Sequence, residues 1–206
     1  HHLNWRRSHR SPPRTKGGAL GAGASHRATA AEPTAAEPAV AEPAVAKQPH
    51  SAAELVEVAS FGDNLLTAVA VSSSGRKFVN FPRWTQTHTA PSVAEVMADG
   101  SLMPYPDGAW NSWKPGEDPS GKFVCVQSVH VDRANNLWVL DPGAPFFGAA
   151  LEKGPKLVKI DPTTNKVTQT IAFDASIAPA GAYLNDVRID DDGKFAYVTD
   201  SNLGRL

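Results

Sequence analysis

The sequence predicts an all-β repeat fold, and three observations carry the prediction. A strand–turn–strand pattern occurs three times, its pitch is nearly constant, and its apolar residues alternate with period two rather than at helical spacing. The copies are Thr67-Ala68-Val69-Ala70-Val71, then Gly75, then Phe78-Val79-Asn80-Phe81; Gln127-Ser128-Val129-His130-Val131, then Asn135, then Trp138-Val139-Leu140-Asp141; and Asn185-Asp186-Val187-Arg188-Ile189, then Gly193, then Ala196-Tyr197-Val198-Thr199-Asp200. From Gly75 to Asn135 is 60 positions and from Asn135 to Gly193 is 58.

Each element has its own justification. The two runs of every copy are rich in β-branched and aromatic residues, which favour a pleated, half-buried surface. The turn between them carries Gly or Asn where a tight hairpin needs positive φ. The second copy reads to its end, with strands near residues 123–132, 137–141, 156–161 and 167–173. The last two are joined by Asp161-Pro162-Thr163-Thr164-Asn165, a run of turn formers. Four antiparallel strands per sixty-residue unit, repeated, is the signature of a β-propeller blade. A β-sandwich also uses short antiparallel strands, but its hairpins do not usually repeat their wording. The expected organisation is a first blade at about 60–106, a second at about 121–175 and the start of a third at about 182–206.

Residues 1–50 are different material. Residues 1–27 contain Arg6, Arg7, Arg10, Arg14, Lys16 and Arg27, no acidic residue, and four of the seven histidines. A basic tail of this kind suits an anionic surface, yet Trp5 is its only aromatic residue, so it reads as a disordered leader with no nucleic-acid module. Gly18-Ala19-Leu20-Gly21-Ala22-Gly23-Ala24 has the outline of a signal peptide but is too short and too poor in large apolar residues for its core. Ala31-Glu32-Pro33, Ala36-Glu37-Pro38 and Ala41-Glu42-Pro43 form a five-residue repeat whose prolines forbid a continuous helix, giving an extended linker. No segment approaches the run of about eighteen apolar residues that a membrane span needs. The formal net charge of −1 averages this basic leader with a more acidic remainder. The single cysteine, Cys125, lies between Val124 and Val126 and reads as a buried structural thiol.

Leu102-Met103-Pro104-Tyr105-Pro106-Asp107 with Trp110-Asn111, Val126 to Asp132, Leu137-Trp138-Val139-Leu140-Asp141-Pro142-Gly143, Lys156 to Asp161, and Tyr183 to Asp190 together resemble the major royal jelly and Yellow protein family. Within it they look most like bacterial members related to L-dopachrome tautomerase. The resemblance covers about residues 53–206. It implies a six-bladed propeller with a central channel, in a family of secreted proteins, and hence a secreted or periplasmic location. Six blades of about sixty residues exceed this chain, which holds two blades and half of a third. Ending at Leu206 and not opening on Met, it reads as an N-terminal fragment.

Propeller chemistry is expected where the innermost strands begin, one set of residues per blade, around a common cavity. Those positions are Thr67 and Ala68, Gln127 and Ser128, Asn185 and Asp186. Asn185-Asp186 also resembles the Asn-Asp and Asn-Gly elements of the gluconolactonase-like lactonases, which implies a role for Asn185 as ligand to a divalent cation such as Ca²⁺. Calcium asks for six to eight oxygen ligands, so Asn185 and Asp186 do not complete a site alone, and the lactonases' further carboxylate, a Glu early in the chain, has no match here: Glu54 and Glu57, the nearby candidates, read as outer-strand residues. His130, in phase with Ser128, is a candidate for proton transfer. Arg188 holds the matching position in the next copy and has the planar fork that suits a ligand carboxylate. Asp141 and Asp200 read as turn-anchoring carboxylates. Asp190-Asp191-Asp192 lacks the spacing and closing Glu of a calcium loop and reads as an exposed acidic turn. Trp110 and Trp113, in a Pro/Gly-rich connection, either wall a ligand or plug a blade interface.

The chain has no nucleophile elbow, Walker loop, dinucleotide fingerprint or Cys/His metal cluster. Three readings follow. The first is a Yellow-type isomerase acting on a dopachrome-like catechol derivative, with His130, Asp186 and Arg188 as catalytic residues and Gln127, Ser128 and Trp110 as ligand contacts. The second is a metal-dependent lactonase led by Asn185. The third is a non-catalytic propeller that binds small aromatic amines or a protein partner.

Overall fold

The structure is a computed structural model and describes residues 56–206. The basic leader, the Ala-Glu-Pro linker and Glu54 lie outside the described residues. Glu57–Leu206 form one compact unit.

Its architecture is all-β. Strands β1 (Ala68–Val71), β2 (Lys77–Asn80), β3 (Val93–Val96) and β4 (Leu102–Pro104) make one antiparallel sheet in sequence order. Strands β5 (Ser128–Val131), β6 (Leu137–Asp141), β7 (Lys156–Asp161) and β8 (Lys166–Ala172) make a second with the same order. Strands β9 (Leu184–Ile189) and β10 (Ala196–Asp200) pair antiparallel as the opening of a third. The described residues thus form two four-stranded antiparallel sheets and one two-stranded sheet, as a partial propeller does.

The first hairpin of each sheet is built by one local rule used three times. Ser72, Asp132 and Asp190 each accept, through the side chain, the backbone N–H four residues on, at 3.1, 2.8 and 2.7 Å. Their carbonyls accept from Gly75, Asn135 and Gly193 at 2.9 Å in every case. Those three residues have φ of 82°, 66° and 67°. Only glycine and, at some cost, asparagine adopt that region readily, which is why they recur there. Asp190 is spent on its own turn, and Asp191 and Asp192 face Arg133 and Lys194 at the surface, as an exposed acidic turn should.

Period-two alternation decides which blade each side chain faces. In the central sheet Leu137 and Val139 of β6, with Val158 and Ile160 of β7, join Phe78, Val93, Tyr105, Phe123 and Val129 in a core shared with the first sheet. Trp138, Leu140 and Leu157 point the other way and meet Leu184 and Val187 of β9. β6 is therefore buried at every residue, whereas the outer strand β8 is largely exposed.

One expected strand is shorter than its sequence pattern. The run expected at 123–132 pairs only over Ser128–Val131, although Phe123, Val124, Cys125 and Val126 are fully buried. The reason is the Asp141 carboxylate, which takes the N–H of Val124 at 2.7 Å and of Cys125 at 3.1 Å and so replaces the ladder there. Asp200 repeats the device in the third sheet, accepting from Tyr183 N, also seventeen residues upstream, at 3.0 Å. Strands β3 and β4, four and three residues long, lie outside the repeated strand–turn–strand pattern.

Arg76 fastens the first sheet to the second. Its guanidinium grips Glu95 with two bonds of 2.7 Å, donates to Asn165 Oδ1 at 2.9 Å and to the Pro162 carbonyl, and lies 5.2 Å from the Phe78 ring centroid. Arg76→Lys keeps the charge and loses the fork, so we expect a loss of about 1–2 kcal/mol in denaturant-unfolding stability.

Candidate functional site

Strands β1, β5 and β9 stand side by side as the innermost strand of each sheet. They line an open cavity of about 620 Å³ whose wall includes Thr67, Ala68, Gln127, Ser128, Asn185 and Asp186. His130 and Arg188 line it too. Trp110 does not: it packs against Phe123, ring centroids 4.9 Å apart, at the edge of the core between the first two sheets. Of the two positions open to this tryptophan, it occupies the one between the sheets. Glu57 is exposed and belongs to no strand.

The wall is held by side chains that reach between sheets. Thr67 Oγ1 donates to the Gln127 carbonyl at 2.8 Å and accepts from Asn80 Nδ2, which also donates to the Val126 carbonyl. Gln127 is itself buried, and its Nε2 donates to the Tyr183 hydroxyl. Trp84 Nε1 donates to the same oxygen at 3.0 Å. One phenol therefore ties a loop of the first sheet, the inner strand of the second and the start of the third, and burial pushes it up to about 12.

Ser128 Oγ donates to Asp186 Oδ1 at 2.6 Å. Arg188 Nη1 reaches the same oxygen at 2.8 Å, and Val187 N–H at 2.9 Å. Partial burial alone would raise the Asp186 carboxyl, but these three donors outweigh it and hold it below the usual carboxylate range. Asp186 is thus a fixed anion with one oxygen fully engaged. The Arg188 side chain is 62% exposed, so the outer edge of its fork remains open to the cavity. His130 is half-buried, and burial, then the Arg188 charge, depress its pKa against the opposing pull of Asp132 and Asp186. Burial and the Arg188 charge both favour the neutral imidazole, which is able to accept a proton.

Asn185 and Asp186 do not complete a calcium cradle by themselves. Asn185 is exposed on the wall and offers one amide oxygen, while Asp186 Oδ1 already receives three donors. Among the described residues no three His, Cys, Asp or Glu side chains gather as metal ligands. Asp141 and Asp200 are turn anchors, and Cys125 is buried, its thiol pushed up to about 12 by burial and the Asp141 charge. Tyr183 and Trp84 carry no local motif that marks them for the wall, because their meeting spans 99 residues.

Residues 124–206 match the family model described as Major royal jelly protein. Over that span the chain is similar to the major royal jelly family. The matched segment contains His130, Asn185, Asp186 and Arg188 together with the Asp141 and Asp200 anchors. No curated protein matches the chain. Among solved structures it is similar to a protein of unknown function from Bacteroides caccae, at 11% identity and a TM-score of 0.41. That match covers 68% of this chain and 40% of the other, so the chain spans less than half the length of that protein. Among the described residues no helix is long and apolar enough to cross a membrane.

Proposed function

We propose that this chain is a member of the major royal jelly family whose inner-strand wall binds a small carboxylate-bearing catechol derivative and isomerises it by proton transfer, as in dopachrome tautomerisation, outside the cytoplasm. The observation that carries the reading is the meeting on one wall of a neutral imidazole, His130, with a cation, Arg188, whose fork is half occupied by Asp186. Arg188 takes the ligand carboxylate on its open edge while Nη1 stays on Asp186. His130 accepts the proton from the carbon that bears the carboxylate as one quinonoid oxygen is protonated, which gives a quinone methide. Loss of a proton from the neighbouring ring CH2 with protonation of the second oxygen completes the catechol, so two protons move from carbon to oxygen and no electrons enter or leave. Ser128 acts by fixing Asp186, and Gln127 by its bond to Tyr183.

Loss of dopachrome absorbance on adding the protein tests the reading. Turnover insensitive to chelator is expected, and Arg188→Met should raise KM about tenfold or more with a smaller change in kcat. Chelator-sensitive hydrolysis of a lactone would favour the metal-dependent reading led by Asn185. Saturable ligand-induced stabilisation without turnover would make the wall a binding site alone, for an aromatic amine or another partner.

A further inference from the structure

The cations Arg76, Lys156 and Arg205, half-buried, buried and exposed in turn, each meet a carboxylate, Glu95, Asp141 and Asp200 respectively. Arg83, in the β2–β3 connection, is different. Its guanidinium lies 5.7 Å from the ring centroid of the buried Trp113, and its Nε is enclosed with no hydrogen-bond partner among the described residues. Its carbonyl accepts from Phe146 N at 2.8 Å, so the backbone beneath the side chain is fixed. His88 in the same connection encloses Nε2 without a partner and is close enough that the Arg83 charge adds to burial in depressing its pKa. Burial lowers Arg83 as well, and only the Cys125 thiol acts against that. Glu117, whose carbonyl receives the Trp113 indole N–H, spends its carboxylate on Lys122 Nζ and Lys114 N.

Holding a cation partly out of water without a counter-charge is costly. The cost falls when an oxyanion brings two oxygens to the planar fork. We infer that Arg83, flanked by Trp113 and His88, is an oxyanion-binding site for a small molecule bearing a carboxylate or a phosphate, separate from the inner-strand cavity, whose wall does not include it. The site stands whether or not the wall is catalytic.

The full chain is titrated with inorganic phosphate and, separately, with succinate, at constant ionic strength with chloride as reference, reading the unfolding midpoint. A saturable rise beyond chloride is expected with one of them, and which one identifies the source. Arg83→Met should weaken that binding about tenfold or more, as loss of a charge-assisted pair does, while Arg188→Met leaves it intact. Arginine-directed labelling by phenylglyoxal with peptide mapping supplies a test without substitution: the effective anion should protect Arg83. Absence of a saturable response, a response that Arg83→Met retains, or labelling of Arg83 unaffected by the anion would overturn the site.

Discussion

Asp141→Ala is expected to remove about 3–5 kcal/mol of folding stability, the largest loss from any single side chain here, because it strands a buried charge. Lys156 and Asp141 have side chains 1% and 0% exposed, with Nζ 3.2 Å from Oδ2. The same carboxylate accepts the N–H groups of Val124, Cys125 and Gly143, so its removal orphans three buried donors along with the ammonium. Lys156 would keep only the Pro119 and Gly154 carbonyls. Adding Lys156→Met to Asp141→Ala should recover part of the loss, because it removes the orphaned cation. Denaturant unfolding of the two single variants and the double variant measures this. An Asp141→Ala loss below about 1 kcal/mol would mean that the 123–127 segment is held by apolar burial alone.

Gly143→Ala is expected to cost at least about 3 kcal/mol, from left-handed strain and from overpacking together. Gly143 has φ of 61°, and a Cβ built on it would lie 2.4 Å from the Gly154 carbonyl carbon and 2.7 Å from Pro155 N. All the close atoms are backbone, so no side-chain rotation relieves the clash. The β6–β7 connection would have to move, and with it the Leu151 N–H bond to the Gly143 carbonyl and the Gly143 N–H bond to Asp141. Gly75→Ala is the control, because φ there is 82° but a Cβ meets nothing within 4 Å. It should cost only the left-handed penalty of about 1–2 kcal/mol. Equal midpoints for the two variants in thermal unfolding would contradict the close approach.

The repeat made most of this fold readable from residues. Leu137–Asp141, Lys156–Asp161 and Ala196–Asp200 form strands at the residues their alternation marks, and Gly75, Asn135 and Gly193 have the positive φ their turns require. The same spacing brings Gln127, Ser128, Asn185 and Asp186 to one wall, because equivalent residues of successive blades meet at the inner strands. What stayed hidden depends on contacts between distant parts of the chain. The buried run from Phe123 to Val126 looks like a strand until Asp141 takes its N–H groups. Trp110 reads equally as ligand wall or plug until Phe123 is seen against it. The Tyr183 hydroxyl joins Trp84 and Gln127 across three sheets, and no local pattern reports that.

The most direct measurement is the pH dependence of kcat/KM for dopachrome conversion in the wild type and in Arg188→Met. His130 has its pKa below the ordinary value of 6.5, through burial and then the Arg188 charge. As a general base it works when neutral, so activity should fall as pH drops through that depressed pKa and hold constant above it. Removing the guanidinium takes away one lowering influence, and the acidic limb should move up towards pH 6.5, while His130→Gln should abolish it. An acidic limb that stays in place in Arg188→Met, or persists in His130→Gln, would contradict the assignment of proton transfer to this wall.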